Sequence, residues 1–437
     1  MKYALPVIGT VAAVGLFAFT TANQAALAVE KPSYTETFEQ LDLFADVLAR
    51  VRSDYVVETD DGELIEDAIN GMLQALDPHS SYVNPDDFRS LQINTSGRYT
   101  GVGMEVTQED GYVKVVAPID GSPAKEAGIL PGDYITEIEG ETVLGLTLTE
   151  AVNLIRGEEG QPVTITVVRA DEEPEEYTLV RREVSREVVT YEIVDGVPYI
   201  RISQFNEKAA PGLEGAIAEL RRQLGGNIPG VVLDLRTNPG GLLDQSVKVS
   251  SAFLDGGEVV STRGRDTTDT ERYNAEAGEL LRGIPVVVLI DEASASASEI
   301  VAGAIQDRGR GLVLGQTSFG KGSVQTLIPL RGGRDGALRL TTERYYTPSG
   351  RSIQGTGIDP DLFVSATPDD GEERRRVRES DLPNSIVNED EADPEVEDID
   401  VLYPPEDFDI SADFQRQQAV ALIKSGDYAT RLAELQN

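Results

Sequence analysis

Apolar residues recur at helical spacing between Tyr34 and Tyr55, with Phe38, Leu41, Phe44, Leu48 and Val51 on one face. Ser33, three positions before Glu36, completes a capping box at the start of that helix. The same period predicts a second helix from Gly62 to Leu76, with Leu64, Ala68, Met72 and Leu76 aligned. Two amphipathic helices alone bury little, so they must pack on the body of the protein or on a second copy. Past Gly97 the period shortens to strand-like alternation broken by glycines, at Tyr112 to Ala117, Tyr134 to Ile138, Val163 to Arg169 and Glu176 to Arg181. One helix interrupts these strands. Thr147-Leu148-Thr149-Glu150 caps it, and Leu148, Val152 and Ile155 share a face that ends at Arg156.

From Val188 to about Ser365 longer strands alternate with helices. Strands are expected at Tyr199 to Ser203, Gly230 to Leu235, Pro285 to Ile290, Gly311 to Gly315, Val324 to Pro329 and Ala337 to Tyr346. Helices are expected at Glu207 to Leu224, Leu242 to Phe253 and Ser296 to Asp307. Val231 to Leu233 and Val286 to Ile290 are unbroken apolar runs, as strands covered on both faces require. The pattern predicts a partly parallel α/β core inside an α+β multidomain chain.

The two ends depart from globular patterning. Met1-Lys2-Tyr3 precedes an apolar run from Ala4 to Phe19 and then Ala26-Leu27-Ala28, the layout of an export signal cut after Ala28. If uncut, it would anchor the chain in the inner membrane facing the periplasm; either way the body is exported, and the bacterial periplasm is the expected compartment. From Asp369 to Asp409 there are 17 acidic and 4 basic residues and few large apolar ones, which predicts a segment unable to order itself. Arg374-Arg375-Arg376 within it reads as a solvated charge cluster. A helix from about Ser411 to Leu435 closes the chain. These shifts divide the protein into 1–28, a helical region 30–95, a glycine-rich β region 97–183, the α/β core 184–365, an acidic segment 366–410 and a helix 411–437.

Composition removes several chemistries. A formal net charge of −38 argues against a nucleic-acid partner. Cysteine is absent, so disulfides, thiolate catalysis and Cys-ligated metals are excluded. The single histidine, His79, cannot build a His-rich metal site, and neither metal nor cofactor is implied. His79 follows the second helix in the turn Asp77-Pro78-His79-Ser80 and is expected to make structural hydrogen bonds rather than serve as a triad base. A hydrolase built from this chain therefore needs another base, and lysine is the leading candidate.

Asp291-Glu292-Ala293-Ser294-Ala295-Ser296-Ala297-Ser298-Glu299 lies between a buried strand and a helix, where open α/β sheets keep their sites. A capping box of Ser296 and Glu299 accounts for part of it, and pattern alone does not choose among the three serines. Asn238-Pro239-Gly240-Gly241 follows another buried strand and could offer backbone N–H groups to an oxyanion, an effect worth about 3 kcal/mol per donor. Twenty-five residues beyond Ser296, Phe319-Gly320-Lys321-Gly322 sets a lysine between glycines that allow close packing. To act as a base near neutrality Lys321 must be buried, at a cost of about 4 kcal/mol. Gln325 could reach back to the amine, orienting it without adding charge.

Within the β region, Gly101-Val102-Gly103-Met104 and Gly121-Ser122-Pro123-Ala124, continuing to Ala127-Gly128 and Pro131-Gly132-Asp133, resemble a PDZ domain of the bacterial type. Such a loop holds a terminal carboxylate on backbone N–H groups. The peptide adds as a strand beside Met104 to Val106, and Leu148, Val152 and Ile155 meet its last side chain. The serine and lysine segments, Asp234-Leu235-Arg236-x-Asn238-Pro239-Gly240-Gly241 and Leu76-Asp77-Pro78-His79-Ser80-x-Tyr82 together resemble the carboxyl-terminal processing (tail-specific) serine proteases, from about Asp60 to Val364.

That resemblance implies a crotonase-like α/β protease core with an inserted PDZ domain and N-terminal helices. It implies Ser296 as nucleophile, Lys321 as general base, Gln325 as the residue orienting the lysine, and an oxyanion hole from backbone N–H of Ala297 and Gly241. Substrates would be proteins with apolar C-termini, held at Gly101, Val102, Gly103 and Met104. Arg156 would be placed to report peptide occupancy to the core, and a lipoprotein adaptor and a homo-oligomer are compatible partners. The competing readings are a non-catalytic PDZ scaffold derived from such a protease and a crotonase-like acyl-CoA enzyme.

Overall fold

The structure, a computed structural model, describes residues 34–435 except 120, 170–172, 186, 267, 370, 372–376 and 389–399. The expected export signal, the Ser33 cap and Arg374 to Arg376 lie outside the described residues. Contacts divide the chain into two units, Met1–Ile65 and Glu66–Asn437. The first contains the helix Tyr34–Asp54, on which Phe38, Leu41 and Phe44 are exposed. Among the described residues no helix is long and apolar enough to cross a membrane.

In the second unit a six-stranded sheet runs in the order Val189–Val194, Val197–Ile202, Val231–Asp234, Val286–Ile290, Leu312–Gly315, Leu362–Phe363. The first pair is antiparallel and every later pair parallel. Alternate residues serve opposite cores, which is why the runs at Val231 and Val286 have no polar interruption. Ile200, Leu233, Val288 and Val313 face the helices Ala209–Gln223, Leu243–Ser251 and Ala297–Asp307. Tyr199, Val232, Val287 and Leu314 face Phe414, Val420, Ile423 and Tyr428 near the C-terminus.

A second, antiparallel sheet joins Ser81–Val83, Ala337–Tyr346, Glu258–Arg263 and Thr270–Asn274, with Ser323–Pro329 also paired to the long strand Ala337–Tyr346. Its hairpin Glu258–Asn274 was not legible in the hydrophobic pattern. Neither was the helix Pro85–Ser96, although its signals are plain in retrospect. Asn84 Oδ1 accepts from the N–H groups of Asp86 and Asp87, Pro85 opens the helix and Gly97 closes it.

Residues 104–180 form an inserted β domain with its own core of Val115, Ile129, Ile135, Val163 and Ile165. Its helix Leu148–Ile155 carries the expected capping box, with Thr147 N–H donating to Glu150 at 2.7 Å and Glu150 N–H to Thr147 Oγ1 at 3.3 Å. The strands Arg98–Gly101 and Arg182–Ser185 pair where the chain enters and leaves this domain.

Two expectations near the C-terminus need correction. The acidic segment 366–410 was expected not to order itself, yet 377–388 and 400–410 are placed. They rely on borrowed partners rather than a core of their own. Leu402 N–H donates to Phe363 O and Ser365 N–H to Leu402 O, both at 2.9 Å, using backbone groups that an edge strand leaves unpaired. The single closing helix is instead two, Phe414–Ser425 and Tyr428–Leu435, and together they cover the second face of the central sheet.

Candidate active site

Ser296 caps the helix Ala297–Asp307 with φ 54° and ψ −110°, a conformation that residues with side chains rarely adopt and that clusters at functional sites. The structure separates it from its neighbours. Ser294 Oγ donates to Leu235 O and Ser298 Oγ to Asn238 O, each at 2.9 Å, so both are spent on holding the loop. Ser296 is the serine of the three that retains some exposure, 8%. Burial pushes up the hydroxyl of Tyr345, and the neighbouring Ser296 side chain pulls the other way. Tyr345 was missed from sequence, because only strand pairing carries it here.

Glu299, expected solely as a capping partner, does more. Its Oε2 accepts from the N–H groups of Ser296 at 2.6 Å and Lys321 at 3.0 Å. Its Oε1 accepts from Gly320 N–H and Ser318 Oγ, each at 2.6 Å. One wholly buried carboxylate thus ties the serine turn to the lysine loop. Burial pushes its carboxyl up to about 7, with these four donors pulling the other way.

Burial likewise holds the Lys321 ammonium below the ordinary lysine value; Glu379, Glu299 and Asp77 oppose this, while Arg339 reinforces it. Among the described residues Lys321 Nζ makes no ion pair. Gln325 is not hydrogen-bonded to it. The Gln325 amide donates instead to Ser323 Oγ at 2.9 Å and Thr341 Oγ1 at 3.3 Å, and Thr341 passes on to Asp77 at 3.0 Å. The reason is the register of Ser323–Pro329 on Ala337–Tyr346, which sets Gln325 opposite Thr341.

The glycine pair closes the third side. A Cβ on Gly240 would stand 2.6 Å from Ala295 O and 2.9 Å from Ser296 Cβ, and one on Gly241 would stand 2.2 Å from Phe205 O. Only glycine allows this approach, and the φ values of 95° and 146° favour it as well. Gly240 N–H is taken by Asn238 Oδ1 at 2.9 Å, whereas Gly241 N–H meets no acceptor among the described residues. Asn238 O accepts from Ala295 N–H at 3.0 Å, pinning the serine loop to the neighbouring strand end. Behind this loop Asp234 is fully buried and accepts from Arg236, Arg201 and Tyr199, and Arg236 reaches Asp413 at 2.7 Å.

In the β domain a cavity of about 310 Å³ is lined by Gly101, Val102, Gly103 and Met104 on one side and Val152, Ile155 and Arg156 on the other. Leu148 does not line it and packs on the domain core instead. Gln204 and Asn206 of the α/β core also line it. Phe205 between them donates to Gly240 O at 3.0 Å and accepts from Leu242 N–H at 2.7 Å.

Three stretches of the chain match known protein families. Residues 196–364 match Peptidase family S41, 114–169 match a PDZ domain, and 7–87 match the Activating protease CtpB N-terminal domain. Over 330 residues the chain is 50% identical to a carboxy-terminal-processing protease of Bartonella bacilliformis, spanning 75% of this chain and 76% of that one. This chain belongs to the carboxy-terminal-processing protease family. It is also 34% identical over 357 residues to the carboxy-terminal processing protease CtpA of Bacillus subtilis, spanning 81% and 75% of the two chains. Among solved structures it is similar to the photosystem II D1 C-terminal processing protease, with 31% identity and a TM-score of 0.42 over 74% of this chain and 92% of that one. As a family member it is a peptidase of mixed α/β fold carrying a PDZ domain.

Proposed function

We propose that this protein is an exported serine endopeptidase that captures the C-terminal tails of protein substrates in its PDZ cavity and cleaves them with a Ser296–Lys321 dyad. The observation that carries the reading is the bridge through Glu299, which holds the backbones of Ser296 and Lys321 on one carboxylate oxygen. A neutral Lys321 takes the proton of Ser296 Oγ as that oxygen attacks the scissile carbonyl. The N–H groups of Ala297 and Gly241 receive the oxyanion. The lysine then gives its proton to the leaving amine, and water attacks the acyl-serine by the same route. Gln325 acts at one remove, through Ser323 and Thr341, to fix the wall behind the lysine.

The tail carboxylate meets the backbone N–H groups of Gly101 to Met104, and its last side chain rests on Val152 and Ile155. Such tails are apolar. Arg156 lines that cavity together with Gln204 and Asn206, which flank Phe205, the residue hydrogen-bonded to Gly240 and Leu242. Peptide occupancy and oxyanion geometry therefore share one support. The periplasm is the proposed compartment, and a lipoprotein adaptor or a second copy of the chain suits the exposed N-terminal helix.

Purified Ser296→Ala protein, incubated with an unstructured substrate bearing an apolar C-terminus, is expected to bind the tail and cleave nothing. Cleavage at the wild-type rate would sink the assignment.

A further inference from the structure

Glu379 is buried without exposure, although it belongs to the acidic stretch. Its surroundings are not those of a packing strap. Val377 and Val387 of the same segment are 65% and 72% exposed, so the segment turns its valines to water and its glutamate inward. Removing a carboxylate from water costs several kcal/mol unless partners compensate. Here they do. The carboxylate lies 2.8 and 2.9 Å from His79 Nε2 and accepts from Gln354 Nε2 at 3.1 Å.

Those partners lead to the lysine loop. Glu379 N–H donates to Phe319 O at 3.1 Å, and Gln354 Oε1 accepts from Gly322 N–H at 3.0 Å. Gln354 also donates to Ile386 O at 3.2 Å, and Asn384 donates to Gln74 O at 2.9 Å, fastening the rest of the segment. The loop Phe319–Gly322 is thus gripped at both ends from residues that no catalytic step requires.

We propose that Glu379 is a positioning residue for the Ser296–Lys321 reaction: with His79 and Gln354 it clamps the lysine loop and sets the negative charge that Lys321 faces. The inference rests on the dyad reading above. The charged groups around Lys321 are Glu379, Arg339, Glu299 and Asp77, with His79 paired to the first; after burial, Glu379 acts most strongly on the lysine and favours its charged form. A base must be neutral, so removing this carboxylate, carried by a residue whose N–H is bonded to Phe319 O of the lysine loop, should extend activity further into acid.

The test uses full-length Glu379→Gln protein. The pH dependence is followed both for Ser296 modification by a fluorophosphonate and for cleavage of an unstructured protein with an apolar C-terminus. The acid limb is expected at lower pH than in wild type. Where wild type runs at about a tenth of its plateau, the variant should reach about threefold or more of that fraction. Glu379→Asp, which keeps the charge but withdraws it by one methylene, should move the limb the same way by less. It carries the test if the glutamine variant does not fold. A limb that stays in place or moves to higher pH in the folded variant overturns the proposal, since a purely structural clamp would lower rates equally at every pH. Lys321→Ala is run alongside. If it reacts at wild-type rates the dyad reading has failed; if it is dead while the Glu379→Gln limb is unmoved, only the role of Glu379 falls.

Discussion

Ser296 is held at φ 54°, and the cost of a non-glycine residue there is on the order of 1–3 kcal/mol. Ser296→Gly should therefore unfold at a higher temperature than Ser296→Ala, the reverse of the usual ranking of the two residues, while both lose cleavage. Calorimetry of the two inactive variants decides it. Gly241→Ala meets the opposite fate, because the added methyl would press on Phe205 O. Loss of cleavage with tail binding intact is expected, and wild-type turnover in that variant would refute the proposed role of Gly241 as an oxyanion donor. Burial depresses the Lys321 ammonium, which is therefore neutral above its lowered pKa. The kcat/KM profile should accordingly rise with pH on its acid side, and Lys321→Ala should abolish activity at every pH.

At the scale of elements, the helix Ala297–Asp307 positions the site through its first turn. Glu299→Ala would leave Ser318 Oγ and three backbone N–H groups without their acceptor, at a cost of several kcal/mol by the usual penalty of about 1–3 kcal/mol for each buried unpaired group. Thermal unfolding and fluorophosphonate labelling should fall together. The helix Phe414–Ser425 acts from the other face of the sheet, where Asp413 at its start pairs with Arg236. Asp413→Ala strips a carboxylate from a largely buried arginine, a loss on the order of 3 kcal/mol. Urea unfolding should show it; an unchanged midpoint would mean that Asp234 alone suffices for the arginine. The capping boxes at Thr147 and Ser296 could be read from four-residue motifs, because a cap is local chemistry. The hairpin Glu258–Asn274 could not, since its strands are specified by the neighbours they pair with.

For the whole molecule, one segment of the core links the PDZ cavity to the proposed cleavage site: Gln204 and Asn206 line the cavity, and Phe205 between them is hydrogen-bonded to Gly240 and Leu242. Val152→Glu places a carboxylate where an apolar side chain is expected to rest. Affinity for a tail peptide and cleavage of tail-bearing substrates should both drop, while Ser296 still reacts with a fluorophosphonate. Loss of that reactivity as well would show that the two sites cannot be uncoupled. The closing helices show a dependence of the same scale. The central sheet needs both faces covered, and the cover for one of them comes from the C-terminal end of the described chain.

What the sequence determined by itself was whatever rests on composition, period and short-range spacing. No cysteine and one histidine left lysine as the leading candidate for a base, the unbroken apolar runs predicted a doubly covered sheet, and linear motifs carried the family resemblance. The tertiary structure alone decided matters that depend on partners distant in the chain. It distinguished Ser296 from Ser294 and Ser298 by what their hydroxyls meet. It turned Glu299 from a cap into a bridge, and placed Tyr345 beside the serine. It also ordered part of the acidic stretch by burying Glu379 against His79, 300 positions away. Charge counting gave no warning of that last arrangement, because a buried carboxylate is stabilised by particular donors, and only the fold brings donors together.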